Sequence, residues 1–339
     1  MTISASGVVS AADIRTEFGF SGTVSFADLY RGGSHIRAKA ANNNAINLAA
    51  SVPTSGTITF DNFRGTAKAF RYTYTSGATN QNASALFGDD YAVNYPKEIV
   101  INSGVELGAT SVTDEALQIN SGASGLITVT NNGTLSGAGA AFLGSIGGDA
   151  FEANATCTLI NNGIIRSGGG TGGSGGQGSY SSSSTPYWSG TYRWLSYGGA
   201  NSSATGNRQV AVWGGSYVVN SYTTALSIGQ YSRSSYVTVT FSDPVQWQYR
   251  ITRTTTAYSN GGYGGAGQGY NQAASAGTSG GTNAGQGGTG GSYGQTGGTG
   301  VNGNYTNGTA GNAAGKAVKG IGVGFITFTD NGTTLGSTV

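Results

Sequence analysis

GQGGTGGSYGQTGGTGVNG, residues 285–303, is the stretch on which the fold turns. Gly285, Gly288, Gly291, Gly294, Gly297, Gly300 and Gly303 fall on a strict step of three. The step recurs at Gly169, Gly172, Gly175 and Gly178, and again at Gly261, Gly264 and Gly267. Neither an α-helix nor a β-strand has that period. Polyproline II geometry does, with three residues per turn and a rise of about 3.1 Å, and glycine on the step leaves one edge free of side chains. Collagen packs three chains on such an edge but needs abundant proline, and this chain has four prolines. A lone helix of this kind has no internal hydrogen bonds, so it holds only where bare edges meet and backbone groups pair between neighbours. The reading predicts a bundle of glycine-rich, polyproline-II-type (polyglycine II) helices. Read straight, the seven-glycine tract reaches roughly 55–60 Å.

Glycine is 62 of 339 residues, charged residues are 9%, and the net charge is +2. High glycine with low charge is also a signature of disorder. Nineteen tyrosines, 12 phenylalanines and 4 tryptophans, with strand-like runs between the tracts, argue for a folded chain. No segment has the 18 or more apolar residues of a membrane span, and MTISASGVVSAADIRTEF lacks the regions of a signal peptide. So near a charge balance, nucleic acid is not an expected partner. The single Cys157 rules out an intrachain disulfide.

Residues 1–66 read as a small mixed module. Ser10 is placed as an N-cap, with Asp13 three positions on and Ile14 and Phe18 at helical spacing. TSGTITFDNFRG reads as a strand entering a turn, and AKAANNNAINLAAS as a loop. No segment here is long enough for a large core, so the module is expected to dock on a partner. From residue 67 the pattern is β, starting with the alternating RYTYT. A repeat follows: EIVINSGVELG (98–108), LITVTNNGTLSG (126–137), CTLINNGIIRSG (157–168) and GFITFTDNGTTLG (324–336). Asn-Gly between alternating runs signals a hairpin, because both residues tolerate positive φ. The 29- and 30-residue spacing of Gly104, Gly133 and Gly163 also fits a β-solenoid with Asn-Gly at a corner. The turn chemistry tilts the reading toward stacked hairpins, with the solenoid as the alternative.

The fourth copy comes about 170 residues after the third, so what lies between is an excursion from the body. The resulting division is an N-terminal anchor (1–66), a β-repeat body (67–168, closed by 321–339), a glycine stem (169–178 and 261–320) and an aromatic-rich β head (179–260). The head holds all four tryptophans and ten of the tyrosines. GTYRWLSYG, RQVAVWG, SYVVNSY, SYVTVTF and VQWQYRITRTTT are its strand candidates, enough for a small sandwich.

Catalytic chemistry is thin. His35 is the only histidine and has no nucleophile arrangement near it in sequence, and Cys157 opens an apolar strand. Metal sites of the Cys/His kind are excluded by count, and no cofactor is expected. Glycan cleavage generally needs two carboxylates about 5–10 Å apart. Asp243 is the only acidic residue between Glu152 and Asp330, so the head has no pair. Asp89-Asp90 and Asp114-Glu115 are read as solvated turn residues. G-x-G-x-x-G matches carry no information in so glycine-rich a chain. The chain is read as no enzyme.

Binding is the stronger signal. Trp, Tyr and Arg dominate hot spots because they bury large area at low entropic cost. Tyr187, Trp188, Tyr192, Arg193, Trp194 and Tyr197 cluster within eleven residues, and Tyr231, Arg233 and Tyr236 cluster again. These are the candidate receptor-binding residues, with a sandwich core as the other reading. Tyr263, Tyr270, Tyr293 and Tyr305, set between glycine triplets, are candidates for contact at bundle tips.

ISASGVVSAADIRTEFG, VSFADLYRGG and VPTSGTITFDNFRG resemble the opening of phage minor tail and tail-fibre proteins. EIVINSGVELGATSVTDEALQIN, ITVTNNGTLSGAGA and TLINNGIIRSGGGTGGSGGQG resemble their glycine-rich distal part. A glycine-helix stem with variable segments is similar to the tail-fibre tip adhesins of T-even-like phages. The resemblance implies a virion component, made in the host cytoplasm, at the distal end of the tail. It implies other tail proteins as partners through the N-terminal module, and a host surface glycan or outer-membrane protein as receptor. Carried onto this chain, it places receptor contact in 179–260 and the 268–284 linker, where one long aromatic insertion stands for many short loops. A homo-oligomer, a trimer among the options, or a tip on an oligomeric fibre is expected. A structural tail-tip or collar scaffold without receptor contact is the alternative function.

Overall fold

The computed structural model describes residues 2–141, 144–184, 187–191, 231–233, 246–320 and 322–339. It divides into two compact units, 1–178 with 260–339, and 179–259. Among the described residues the first unit is mainly β, with two short α-helices.

The N-terminal module opens on α1 (Ala11–Phe18), which starts as its sequence predicts. The Asp13 N–H donates to Ser10 Oγ (3.2 Å) and the Ser10 N–H to Asp13 Oδ2 (2.8 Å), so two orphan donors are satisfied reciprocally. Gly19 ends the helix at φ 67°. Ile14 and Phe18 join Ile3, Val9, Leu29, Ile36, Val52 and Phe63 in one core. TSGTITFDNFRG is not a strand: Thr59 caps a 3-10 turn, Phe60–Phe63, whose Phe63 is buried. The Asn-rich stretch is ordered rather than loop-like. It contains β1 (Ile46–Asn47), and the Asn47 side chain bonds the Arg37 carbonyl and the Ala49 N–H.

Five parallel coils follow. The first is β2 (Phe70–Tyr74), β3 (Ala78–Thr79) and β4 (Gln81–Asn82), followed by α2 (Ala83–Phe87). The second is β5 (Lys97–Ile101), β6 (Glu106–Gly108) and β7 (Leu117–Ile119). The third is β8 (Ile127–Asn131), β9 (Thr134–Ser136) and β10 (Phe151–Ala153). The fourth opens with β11 (Cys157–Asn161) and β12 (Ile164–Arg166), then breaks for the inserted strands β13 (Gly178–Ser184), β14 (Tyr187–Thr191), β15 (Tyr231–Arg233) and β16 (Gln246–Ser259). It resumes at β17 (Lys316–Lys319), and β18 (Ile326–Asp330), β19 (Thr333–Leu335) and β20 (Ser337–Thr338) make the fifth. Each coil gives one strand to each of three sheets, ordered β2-β5-β8-β11-β18, β3-β6-β9-β12-β19 and β4-β7-β10-β17-β20.

This is the solenoid alternative, and it corrects the hairpin reading. The strands flanking each Asn-Gly lie in different sheets and pair in parallel with the coils above and below. The alternation in β5, β8 and β11 buries every second residue in a common core that includes Ile99, Val129, Leu159 and Phe151. At the corners Asn131 Nδ2 donates to Asn161 Oδ1 and Asn161 Nδ2 to Asp330 Oδ1, both at 2.8 Å. A second ladder joins Asn132, Asn162 and Asn331 at 3.0 Å steps. Gly133, Gly163 and Gly332 serve these corners by closeness rather than by positive φ. A Cβ on Gly163 would sit 2.1 Å from the Gly133 carbonyl oxygen, and one on Gly332 2.2 Å from that of Gly163.

The glycine-rich chain between β12 and β17 has no regular strand or helix in its tracts. It runs as six passes, 168–177, 261–269, 275–280, 284–291, 295–303 and 306–315, joined by backbone hydrogen bonds on a step of three. Gly169, Gly172 and Gly175 donate to the carbonyls of Gln268, Gly265 and Gly262, and Gly170, Gly173 and Gly176 to those of Gln295, Gly298 and Val301. Gly285, Gly288 and Gly291 donate back to Gly176, Gly173 and Gly170. The first pass is thus central, bonded on several sides. The straight 285–303 tract is corrected here. Gly294 sits at φ 69°, the Gln295 N–H bonds the Ser292 carbonyl at 2.9 Å, and the two halves lie antiparallel through Gly298 to Thr289 and Val301 to Gln286. Even fully extended, a pass of this length spans no more than roughly 30 Å.

Candidate functional site

The turns between passes fall at two ends. One rests on the solenoid. The Gly294 N–H bonds the Ser167 carbonyl at 3.0 Å, and the Tyr293 ring lies under Arg166, whose guanidinium carbon is 3.9 Å from the ring centre. Arg166 is held by Glu106 (2.9 Å) and Ser136 Oγ (2.8 Å). Burial pushes the Tyr293 hydroxyl pKa up, with Arg166 opposing. The Tyr270 N–H bonds the Gly137 carbonyl at 3.0 Å, and its ring occupies the space a Cβ on Gly108 would need. Tyr270 and Tyr293 are therefore buttresses at the base and are removed from the set of tip contacts.

The other end gathers Gln177, Asn260, Asn283 and Asn304. The Gly281 N–H bonds the Asn260 carbonyl (3.0 Å), that of Asn304 the Asn283 carbonyl (3.1 Å), and that of Tyr305 the Gln177 carbonyl (3.1 Å). The inserted segment leaves and re-enters the chain here, after Gly178 and before Asn260. Tyr305 lies in this end's turn and is 56% exposed; Tyr263, along a pass, is 66% exposed. Of the 268–284 linker, only 281–283 reaches this end; Tyr270 marks its base and 275–280 is a pass.

The outer passes carry a feature that sequence reasoning missed. Thr306 and Thr309 hydroxyl oxygens accept from the N–H groups of Gln177 and Ser174 (2.7 and 2.8 Å). Thr278 and Ser275 do the same for Tyr263 and Ala266 (2.7 and 2.8 Å). On the three-residue step a hydroxyl of the neighbouring pass stands in for a carbonyl as the acceptor, while the same residues' N–H groups bond back across. Residues 261–315 include no Asp, Glu, Lys, Arg or His. The far-end turns within this stretch therefore present amides, hydroxyls and aromatic rings rather than charges.

Of the predicted contact residues, Tyr187 and Trp188 lie on β14 and Tyr231 and Arg233 on β15. Both strands pair antiparallel with β16, which sets Tyr187 opposite Arg250 and Tyr231 opposite Arg253 in register. Of the strand candidates, VQWQYRITRTTT corresponds to β16, while RQVAVWG, SYVVNSY and SYVTVTF lie outside the described residues. So do Tyr192, Arg193, Trp194, Tyr197 and Tyr236. The sequence of 179–260 adds five arginines against one aspartate and no lysine or glutamate, a net charge of +4.

The remaining chemistry is structural. His35 stacks on Phe20 with ring centres 4.7 Å apart. Cys157 is buried, and burial pushes its thiol pKa up to about 12, so it stays protonated and inert. Asp90 is not solvated as expected. It is fully buried and accepts from Arg37 Nε (2.8 Å), the Ala40 N–H (2.7 Å) and Asn43 Nδ2 (2.9 Å). Burial opposes its ionisation, but the Asn43, Ala40 and Arg37 bonds outweigh it and hold the carboxyl below the usual range. Glu115 is also drawn in. Burial first, then the Glu152 charge and a hydrogen bond between the two carboxyls, push it up to about 7. Lys319 bridges Glu152 (2.8 Å) and Asp149 (3.4 Å). Two carboxyls in hydrogen-bond contact leave no room for the sugar or water that a hydrolase pair spaces about 5 Å or more apart. Among the described residues no three His, Cys, Asp or Glu gather as metal ligands.

The family model for the phage tail fibre adhesin Gp38 matches residues 69–339. No curated protein matches the chain. Among solved structures, the gp37-gp38 adhesin tip complex of the bacteriophage S16 long tail fibre is similar at 17% identity and TM-score 0.41, covering 84% of this chain and 88% of that one.

Proposed function

The chain belongs to the phage tail fibre adhesin Gp38 family, and on that premise we propose how its parts divide the work. It is a receptor-binding tail protein that attaches the virion to the host cell surface, and so a component of the phage tail. In our reading residues 1–66 fasten it to other tail proteins, the solenoid is the rigid body, and the six passes are a polyglycine II bundle that carries the head. Segment 179–260 contacts the receptor through Tyr187, Trp188, Tyr192, Arg193, Trp194, Tyr197, Tyr231, Arg233 and Tyr236. The role is binding without catalysis or cofactor.

One observation carries this reading: the inserted segment leaves and re-enters the chain at Gly178 and Asn260, beside pass-end turns fixed by main-chain bonds. Support for polyglycine II comes from the three-residue step of those bonds and from approaches that admit no Cβ, such as 2.0 Å from a Cβ on Gly172 to the Gly288 oxygen. A rigid platform lets the head bind with less ordering cost. The +4 charge of the head favours a host surface glycan with anionic groups, or an outer-membrane protein with an acidic face.

The test is binding of the full chain to intact host cells, beside a chain with 179–260 replaced by a short Gly-Ser linker. Binding lost on replacement, with the melting transition of the body retained, supports the reading. Binding by both chains moves the receptor site to the 281–283 and 304–305 turns. Binding by neither leaves a tail scaffold. Raising salt from 50 to 300 mM weakens adhesion if the arginines face anions, and leaves it unchanged if they do not.

A further inference from the structure

The register of the inserted strands sorts their residues onto two faces. Directly opposed residues of an antiparallel pair lie on the same face, and along each strand the faces alternate. β16 is the shared partner. On β14, Trp188 stands opposite Tyr249 and Gly190 opposite Trp247. On β15, Tyr231 stands opposite Arg253 and Arg233 opposite Ile251. One face of the ribbon therefore holds the positions of Trp188, Trp247, Tyr249, Tyr231, Arg233 and Arg253. Tyr187, Ser189, Gln248, Arg250 and Thr252 fall on the other.

Charge decides what the aromatic face can be. Its two arginine positions are diagonal neighbours, because Arg233 is opposite Ile251, two residues before Arg253. β13, β14, β15 and β16 contain no Asp or Glu, and Asp243 is the only acidic residue in 179–260. A closed core on this side would take in two guanidinium groups with at most one carboxylate of the segment to pair them, and cores do not hold charges unpaired. The opposite face is the water side where β16 is described at its end: Thr256 and Tyr258 are exposed, while Ala257 and Ser259 are half-buried. The aromatic side thus calls for an anionic occupant. Ring positions that follow one another along a strand suit a chain of flat units whose C–H faces they can cover. Arginine forks match carboxylate and phosphate oxygens.

We propose that this face binds an acidic glycan of the host surface, with sugar rings at the Trp188, Trp247 and Tyr249 positions and carboxylate or phosphate groups at Arg233 and Arg253. The proposal rests on the reading of 179–260 as the receptor contact. It narrows that contact to one face and adds Trp247, Tyr249 and Arg253 to it.

The test uses the full chain on intact host cells. The competitor is surface polysaccharide extracted from the same cells, either native or with its carboxylates reduced and its phosphates stripped by hydrofluoric acid. Native polysaccharide is expected to block adhesion, and the discharged form to need about tenfold more or fail. Arg253→Gln and Arg250→Gln remove the same charge from one strand, three positions apart and on opposite faces. Arg253→Gln is expected to weaken adhesion about tenfold. Arg250→Gln should stay within about twofold of the parent. Equal losses would mean that net charge rather than this face binds, and would overturn the proposal. Trp247→Ala should lose as much as Arg253→Gln, while Trp247→Phe, which keeps a ring, should retain most of the binding. Equal competition by the discharged polysaccharide overturns the acidic ligand. Adhesion that disappears when the cells are shaved with protease, with no competition by polysaccharide, overturns it in favour of a protein receptor. If replacing 179–260 abolishes adhesion but Arg253→Gln and Trp247→Ala bind as the parent does, the head remains the receptor contact and this face is wrong. If the replacement leaves adhesion intact, the receptor reading of the head falls with it.

Discussion

The guanidinium carbon of Arg166 lies 3.9 Å from the centre of the Tyr293 ring, tying the end of β12 to the turn between two glycine passes. Arg166 is at the same time fixed by Glu106 and Ser136, so the ring meets a cation that cannot swing away. Tyr293→Ala is expected to cost about 1–2 kcal/mol in thermal unfolding of the full chain, where cation–π contact and burial are lost together. Tyr263→Ala, at an exposed ring, should stay within about 0.5 kcal/mol. Equal losses would mean that the base contact does not hold the passes.

Gly172 stands in the central pass, where a Cβ would lie 2.0 Å from the Gly288 oxygen and 2.5 Å from its carbon. Backbone on that side cannot move aside without breaking its own bonds. Gly172→Ala is expected to cost about 3 kcal/mol or more, or to leave the passes unpacked. Gly322→Ala, whose nearest neighbour is 3.5 Å away, is the control and should melt as the parent does.

Thr309 Oγ1 accepts the Ser174 N–H at 2.8 Å, and the Thr309 N–H bonds back to the Ser174 carbonyl at 2.8 Å. Thr309→Val keeps the shape and removes the acceptor, with an expected loss of about 1 kcal/mol. Hydrogen exchange at Ser174 should rise in that variant while Gly172 stays protected. An unchanged Ser174 would show that water serves equally well.

Glu115 binds its proton more tightly folded than unfolded, since burial and Glu152 raise it to about 7. Between its ordinary value near 4.5 and about 7 the folded state therefore holds the extra proton, and stability falls as pH rises through that window. The fall should be roughly 1 kcal/mol, because the site is partly open to solvent. Glu115→Gln should flatten the melting temperature across pH 4.5–7 and raise it above pH 7. A parent that melts identically at pH 5 and pH 7.5 would sink this coupling.

Much of this was written in the sequence at the level of period. The glycine step matches the three-residue step of the backbone bonds between passes, and the 29- and 30-residue spacing of Gly104, Gly133 and Gly163 is one solenoid coil. The Asn-Gly pairs misled because they suit a hairpin turn and a stacked corner equally; the spacing was the better guide, since a hairpin unit needs only about a dozen residues. The reversal at Gly294 was hidden because it lies on the glycine step, although Ser292-Tyr293 interrupts the run. Asp90 and Glu115 were misread from their neighbours in sequence. Their partners, Arg37 and Asn43 for one and Glu152 for the other, are 37 to 53 residues away. Hydroxyls at 275 and 278 and at 306 and 309 keep the step, but in so Ser- and Thr-rich a chain nothing set them apart.

The fourth coil begins with β11 and β12 and is completed by β17, with the passes and the head strung between them. A ribosome delivers the chain from its N-terminus at about 5–20 residues per second, so the first three coils stack while roughly 150 further residues are still being made. For a time on the order of ten seconds, β10 and β11 wait with bare edges for β17 and β18. A chain broken off before residue 316 keeps those edges open for good and is exposed to aggregation and proteolysis. Sealing the body therefore waits for β17 and β18, which reach it only after the passes and the inserted segment have been made.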